Sequence, residues 1–186
     1  IVDSDSGYSS IHLMGGSWIE VPYEKVYMDG DTEIDTRFSD YLSILSGNFT
    51  IQIILSGDPV DTNEQLSILS LVNSGGDILF SVHRESDKDN SIAVYKDGER
   101  LGSYESSDIN WSDSSSFYML SVTQDMDAGN ISIYIDDSKI TDVSGTIDNT
   151  DKCSISIGSL SNSGHTVLQN FWCGYIDEFR LWDTDL

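Results

Sequence analysis

Basic residues are scarce in this chain: nine lysines and arginines stand against 32 aspartates and glutamates, for a formal net charge of -23. A surface so acidic repels phosphate backbones and anionic headgroups, which argues against nucleic-acid partners and leaves cations and neutral sugars as better fits. No apolar run approaches the ~20 residues of a membrane-spanning helix, and no basic-then-apolar leader opens the chain, so membrane insertion is not expected. Proline occurs twice, as Pro22 and Pro59, each where a strand pattern ends. Helical periodicity is nearly absent, and no repeat of about 20 to 50 residues is detectable. No glycine-rich loop opens a helix, which removes phosphate cradling, and no serine stands in a nucleophile-elbow context. His12, His83 and His165 are scattered without metal-ligand spacing.

What is present is alternation. Period-two segments separated by short turn signals run from end to end, the pattern of an all-β sandwich or barrel. Strands are expected at 10–14, 17–21, 49–56, 66–72, 78–83, 91–96, 117–125, 130–136, 139–143, 154–158 and 171–182. Asp136-Asp-Ser138 and Lys96-Asp-Gly98 read as hairpin reversals. The stretch from Tyr23 to Gly47 is the least regular, with Tyr41 to Leu45 as a helical turn or an irregular strand. The length suits one domain over residues 1–186, able to bury roughly 70% of the surface of the unfolded chain. Because it starts at Ile1, it is expected to be a segment of a longer or processed protein.

The last strand poses a puzzle. Counting by twos in Gly174-Tyr-Ile-Asp-Glu-Phe-Arg-Leu-Trp182 puts Tyr175, Asp177, Phe179 and Leu181 on one face, with Ile176, Glu178, Arg180 and Trp182 on the other. A carboxylate at Asp177 beside Phe179 calls for a cation or several donors.

Four stretches, in this order, resemble the concanavalin A-like jelly roll in its laminin-G-like and pentraxin-like branch. They are Ser10 to Pro22, Asn48 to Ile54, Phe117 to Thr123 with Gly129 to Asp137, and Ile155 to Gly158 with Gly174 to Trp182. The resemblance covers residues 10 to 184 and implies two antiparallel sheets with the tail strand beside the head strand. It also implies a structural calcium, with Asp177 as carboxylate ligand and the Gly15-Gly16 turn, through Gly16, as carbonyl ligand. The expected departures are Asp137, where the family often has glycine, and the long acidic stretch after Tyr23.

The closing pair of this resemblance makes Cys153 and Cys173 neighbours. Their parities let both thiols face one side, giving either a disulfide of about 3 kcal/mol, which implies an oxidising compartment, or two buried thiols. Two further acidic turns, Asp125 to Asn130 and Gly57 to Glu64, carry oxygen ligands without an established calcium spacing. Glu33-Ile-Asp-Thr-Arg-Phe38 resembles a glycosidase strand signature but has Arg37 where the acid belongs, and such hydrolysis needs two carboxyls about 5 Å apart.

For sugar binding, an exposed ring among polar groups is needed. Trp111, in Asn110-Trp-Ser-Asp-Ser114, is the candidate, with Tyr104 behind it; Trp18, Trp172 and Trp182 read as packing residues. Asn48, Asn110 and Asn130 open N-glycosylation triplets. The expectation is a non-catalytic recognition or adhesion module of a secreted or surface-displayed protein, binding a glycan or glycoprotein. The alternative is a structural decoration or fibre domain of a virus particle or surface appendage, contacting neighbouring subunits.

Overall fold

The computed structural model describes residues 11–14, 16, 18–21, 24–29, 32–37, 43–60, 65–73, 75–86, 88–147, 153–161 and 168–184. Its strands are Ile11–Met14 (β1), Ile19–Val21 (β2), Glu24–Asp29 (β3), Thr32–Arg37 (β4), Phe49–Gly57 (β5), Leu66–Asn73 (β6), Ile78–Arg84 (β7) and Ser91–Lys96 (β8). They continue as Glu99–Glu105 (β9), Tyr118–Asp125 (β10), Asn130–Ile135 (β11), Ser138–Ser144 (β12), Cys153–Ile157 (β13), Leu160–Ser161 (β14), Leu168–Gln169 (β15) and Cys173–Trp182 (β16). A first six-stranded sheet runs β1-β16-β5-β10-β11-β12, and a second runs β2-β13-β6-β7-β8-β9. The pairings within both sheets are antiparallel. The two-sheet antiparallel sandwich expected from the alternation is therefore present, and β1 lies on β16 with Ile11 opposite Ile176 and Met14 opposite Cys173.

Alternation decides what each sheet buries. Phe49, Ile51, Ile53 and Leu55 of β5 meet Leu120 and Val122 of β10 and Ile131, Ile133 and Ile135 of β11 on the inner face of the first sheet. Leu69, Leu71, Phe80, Val82, Val94, Ile155 and Ile157 face them from the second. Trp111 and Trp172, both fully buried, join this core and meet edge to face with centroids 5.5 Å apart, the geometry the ring quadrupoles favour. At the β8–β9 turn Asp97 and Gly98 take φ of 52° and 77°. Positive φ at both central residues matches the strand twist, and glycine adopts it without steric cost.

The stretch after Tyr23 departs from expectation: β3 and β4 pair as a hairpin with Glu24 opposite Arg37 and Asp29 opposite Thr32. Its mixed acidic and β-branched residues gave no clean period. Ser43–Ser46 forms a short 3-10 turn.

Candidate functional site

The face of the first sheet that points away from the core is polar and aromatic. Thr50, Gln52, Ile54 and Ser56 of β5 point away from the core and set the rows of this face, with Thr50 and Ser56 themselves buried and Gln52 and Ile54 partly so. Gln52 stands opposite Ser121 of β10 and Arg180 of β16, while Thr50 stands opposite Thr123 and Trp182. On β11, Tyr134 continues the Gln52 row and Ser132 the Thr50 row.

These side chains are already tied to one another. Trp182 Nε1 donates to Gln52 Oε1 at 3.3 Å, and Gln52 Nε2 donates to Ser121 Oγ at 3.3 Å. The Thr50 and Thr123 hydroxyls meet at 3.2 Å. Ser132 Oγ donates to Asp142 Oδ1 at 2.6 Å, and Lys139 Nζ reaches the same carboxylate at 2.7 Å while lying 5.8 Å from the Tyr134 ring centre. The hydrogen bond from Lys139, followed by that from Ser132, holds Asp142 below its usual range. A groove of about 260 Å³ opens here, with Thr50, Gln52, Ser121, Thr123 and Tyr134 along it and Asp136 and Asp137 at its rim. Trp182, 41% exposed, stands beside Gln52 in the adjoining row.

A second aromatic group lies at the other end of the same face. His12 stacks on Tyr175 with ring centres 4.1 Å apart and planes 7° from parallel, and Phe117, 45% exposed, lies 6.5 Å from Tyr175. His12 Nε2 meets Asp58 Oδ2 at 2.7 Å. Tyr175 faces Ser56 across the ladder and Trp182 faces Thr50, so the aromatic ends are six residues of β5 apart, roughly 20 Å.

The loops beneath this end are fixed from inside by Arg84, which is 3% exposed. Its Nη1 donates to the carbonyl oxygens of Asp58 at 2.9 Å and Trp111 at 3.4 Å, and its Nη2 to Asp89 Oδ1 at 2.6 Å and Ser112 Oγ at 3.3 Å. One guanidinium thus joins three loops. Gly57 makes that approach feasible, because a β-carbon there would overlap the Trp111 carbonyl oxygen.

The expected sugar site is not where the sequence reading put it. Trp111 is wholly buried: its Nε1 donates to the Ser91 carbonyl at 3.1 Å and its ring packs against Tyr118 and Trp172. Tyr104, half-buried on β9, packs against the core. Trp111 therefore offers no open ring face. Conversely Trp18 and Trp182, read as packing residues, are exposed, while Trp172 is in the core as read. The alternation of β16 already put Trp182 with Glu178 and Arg180, a signal for the outer face that outweighs its apolar character.

The expected calcium ligands do not assemble. Asp177 is a bulge residue: Ile176 pairs with Leu55 and Glu178 with Ile54, leaving Asp177 without a ladder partner. The bulge also switches parity, so Ile176 is buried before it, and Phe179 and Leu181 pack on the core after it. Asp177 is therefore not embedded in an apolar row, and the puzzle of its burial disappears. Gly16 follows the far end of β1, where Met14 already stands opposite Cys173, whereas Asp177 lies beyond the Ile11–Ile176 pair. The antiparallel register sets Asp177 roughly 13 Å along the strands from Met14, the β1 residue nearest Gly16, a span that argues against one ion held at 2.3 to 2.6 Å by both. Among the described residues no group of three or more His, Cys, Asp or Glu side chains is placed to hold a metal ion. In the Asp125 turn, Oδ1 of Asp125 instead accepts from the amides of Asp127 and Ala128, both at 2.9 Å. In the Gly57 to Glu64 loop, residues 61–64 lie outside the described residues.

The cysteines are separated as well. Cys153 belongs to β13 in the second sheet and Cys173 to β16 in the first, and both are free thiols. Burial pushes the Cys153 thiol up to about 12, which leaves it protonated and unreactive. Of the buried-thiol alternative, Cys153 fits and Cys173 is only half-buried.

No protein-family model matches the chain, and no curated protein does. Solved structures do. A pentraxin from Limulus polyphemus superposes with a TM-score of 0.59 at 13% identity, covering 75% of this chain and 65% of that one. A sialidase carbohydrate-binding module, CBM40, from Ruminococcus gnavus bound to α2,3-sialyllactose superposes at 0.60 with 11% identity, over 91% of both chains. An alginate lyase of polysaccharide lyase family 7 superposes at 0.53 with 15% identity, over 97% of this chain and 80% of that one. With two six-stranded antiparallel sheets in this order and these neighbours, the chain has the fold of an antiparallel jelly-roll sandwich.

Proposed function

We propose that this chain is a non-catalytic glycan-recognition module that binds its ligand along the outer face of the first sheet. The observation that carries the reading is the shared face of exposed Trp182, Tyr134 and the polar Gln52–Ser121 row, with the Tyr175, His12 and Phe117 group at its other end. Sugars present apolar C–H faces and hydroxyl rims, and this alternation of rings and hydrogen-bonding side chains complements both. Similarity to a carbohydrate-binding module over nearly the whole chain supports it. A lyase also shares the fold, so catalysis must be weighed on the residues themselves. Glu178 is held by Arg180 through two bonds of 2.8 and 2.6 Å, and Asp142 by Lys139 and Ser132. A general acid needs its pKa raised, and Asp142 is held low. Such a module serves on a secreted or surface-displayed protein, where glycans are met.

Titration calorimetry against soluble oligosaccharides tests this. Trp182→Ala and Tyr134→Ala should each weaken binding roughly ten- to thirtyfold, the loss of about 1.5–2 kcal/mol of ring contact, while thermal unfolding stays nearly unchanged. Full affinity in both variants would place the ligand elsewhere. The structural-subunit reading draws on Ile11 and Met14, exposed on edge strand β1. Self-association abolished by Met14→Lys, together with no glycan binding, would favour it.

A further inference from the structure

Every lysine and arginine whose side chain the structure describes is already in an ion pair. Arg84 pairs with Asp89, Lys88 with Glu105, Lys96 with Asp97, Arg100 with Glu85, Lys139 with Asp142 and Arg180 with Glu178. Only two of these cations, Lys139 and Arg180, belong to the outer face of the first sheet. Each is matched there by its own carboxylate: Arg180 holds Glu178 bidentately, and Lys139 shares Asp142 with Ser132. Opposing them, Asp136 and Asp137 stand exposed at the groove rim. Asp136 Oδ1 accepts from the Met119 amide at 2.8 Å, which fixes its carboxylate without neutralising it.

Resting on the glycan-binding reading, we infer that the ligand of this face is a glycan that carries no anionic group. An acidic sugar needs a cation or a set of donors at its carboxylate, and Lys139 or Arg180 would supply one only by breaking an existing pair. Until then the incoming carboxylate meets Asp136, Asp137 and a chain of net charge -23. Like charges across an interface cost several kcal/mol and select against the wrong partner. An uncharged sugar meets none of this. Its hydroxyls find donors and acceptors in Gln52, Ser121 and Tyr134, and its C–H faces find the rings. The selectivity would thus be opposite to that needed for sialyllactose, the ligand seen in the Ruminococcus gnavus module of the same fold.

Stereochemically matched pairs isolate charge from shape: galacto-oligosaccharides against oligogalacturonates, manno-oligosaccharides against oligomannuronates, and lactose against sialyllactose. Calorimetry of the whole chain at about 0.1 M and 1 M salt should show binding within the uncharged set, with affinity nearly independent of salt. The carboxylated member of the binding pair should be weaker by roughly tenfold or more at low salt, and the gap should narrow at high salt and in Asp137→Lys. Tighter binding of a carboxylated member, weakening with salt, would overturn the inference and leave the glycan reading intact. Binding by no member of any pair would instead overturn the glycan reading, and this inference with it.

Discussion

At the scale of single residues, burial sets the chemistry that His83 can perform. Its ring lies 2% exposed on β7, with Nε2 2.8 Å from Ser81 Oγ and the Tyr95 ring edge-on at 5.1 Å. Among the described residues Nδ1 has no hydrogen-bond partner. Desolvation lowers its pKa from 6.5 to about 4, only partly opposed by the nearby Glu85 carboxylate. Above pH 6.5 the ring is neutral in folded and unfolded chains alike, so stability does not depend on it. Below that, the unfolded chain takes up a proton the folded one refuses, and stability falls until about pH 4, by about 3 kcal/mol in all. Glu85 has the same dependence at lower pH: burial opposes its charge, but hydrogen bonds from Gln65, Ser103 and Arg100 keep its pKa depressed. Urea unfolding at pH 7 and pH 4.5 should therefore show a smaller loss on acidification in His83→Gln than in the parent chain. Equal losses would mean that the ring is hydrated in the folded protein. Nothing in the sequence singled out His83, since its environment depends on which face of β7 the second sheet covers. Trp111 was misread for the same reason: a tryptophan in a serine-rich loop looks exposed until Arg84 and Gly57 draw that loop onto the core.

At the scale of an element, β16 shows how far alternation can be trusted. Its existence and approximate length were legible from period two alone, and its place beside β1 from the resemblance. What period two cannot show is a bulge, because one extra residue leaves both halves alternating and changes only their relation. With Asp177 out of the ladder, Tyr175, Glu178, Arg180 and Trp182 share the outer face, and both aromatic ends of the candidate site lie on one surface. Uniform counting separated Tyr175 from Trp182 and so hid the site. Deleting Asp177 should close the ladder, making the Ile176–Leu55 and Glu178–Ile54 pairs consecutive while Ile176, Phe179 and Leu181 keep their inward parity. That variant should fold cooperatively, whereas deleting Asp177 together with Glu178 removes a ladder position, puts either Phe179 and Leu181 or Ile176 on the wrong face and should abolish cooperative folding. Circular dichroism melts of the two decide it. If the single deletion fails to fold as well, the parity switch does not lie at Asp177.

At the scale of the whole molecule, the fold was readable because two stacked sheets are the economical way to bury many short alternating strands. The ligand face was not, because it is assembled from β16, β5, β10 and β11, whose order in the sheet differs from their order in the chain. Charge acts at this scale too. With 32 acidic groups against nine basic ones, most carboxylates have no cation to pair with, and their mutual repulsion works against the compact state. Raising salt from about 0.1 M to 1 M shortens the screening length from about 10 Å to 3 Å, below the spacing of most surface charges. The melting temperature should rise over that range with sodium or potassium chloride, although each individual surface ion pair weakens, because uncompensated repulsions outnumber pairs. A calcium site in the chain would add a saturable increment above that of magnesium at equal ionic strength. The separation of Asp177 from Gly16 leads us to expect equal midpoints for the two cations. A melting temperature that instead falls as salt rises would show that the paired cations, rather than the unpaired carboxylates, dominate the electrostatics of this fold.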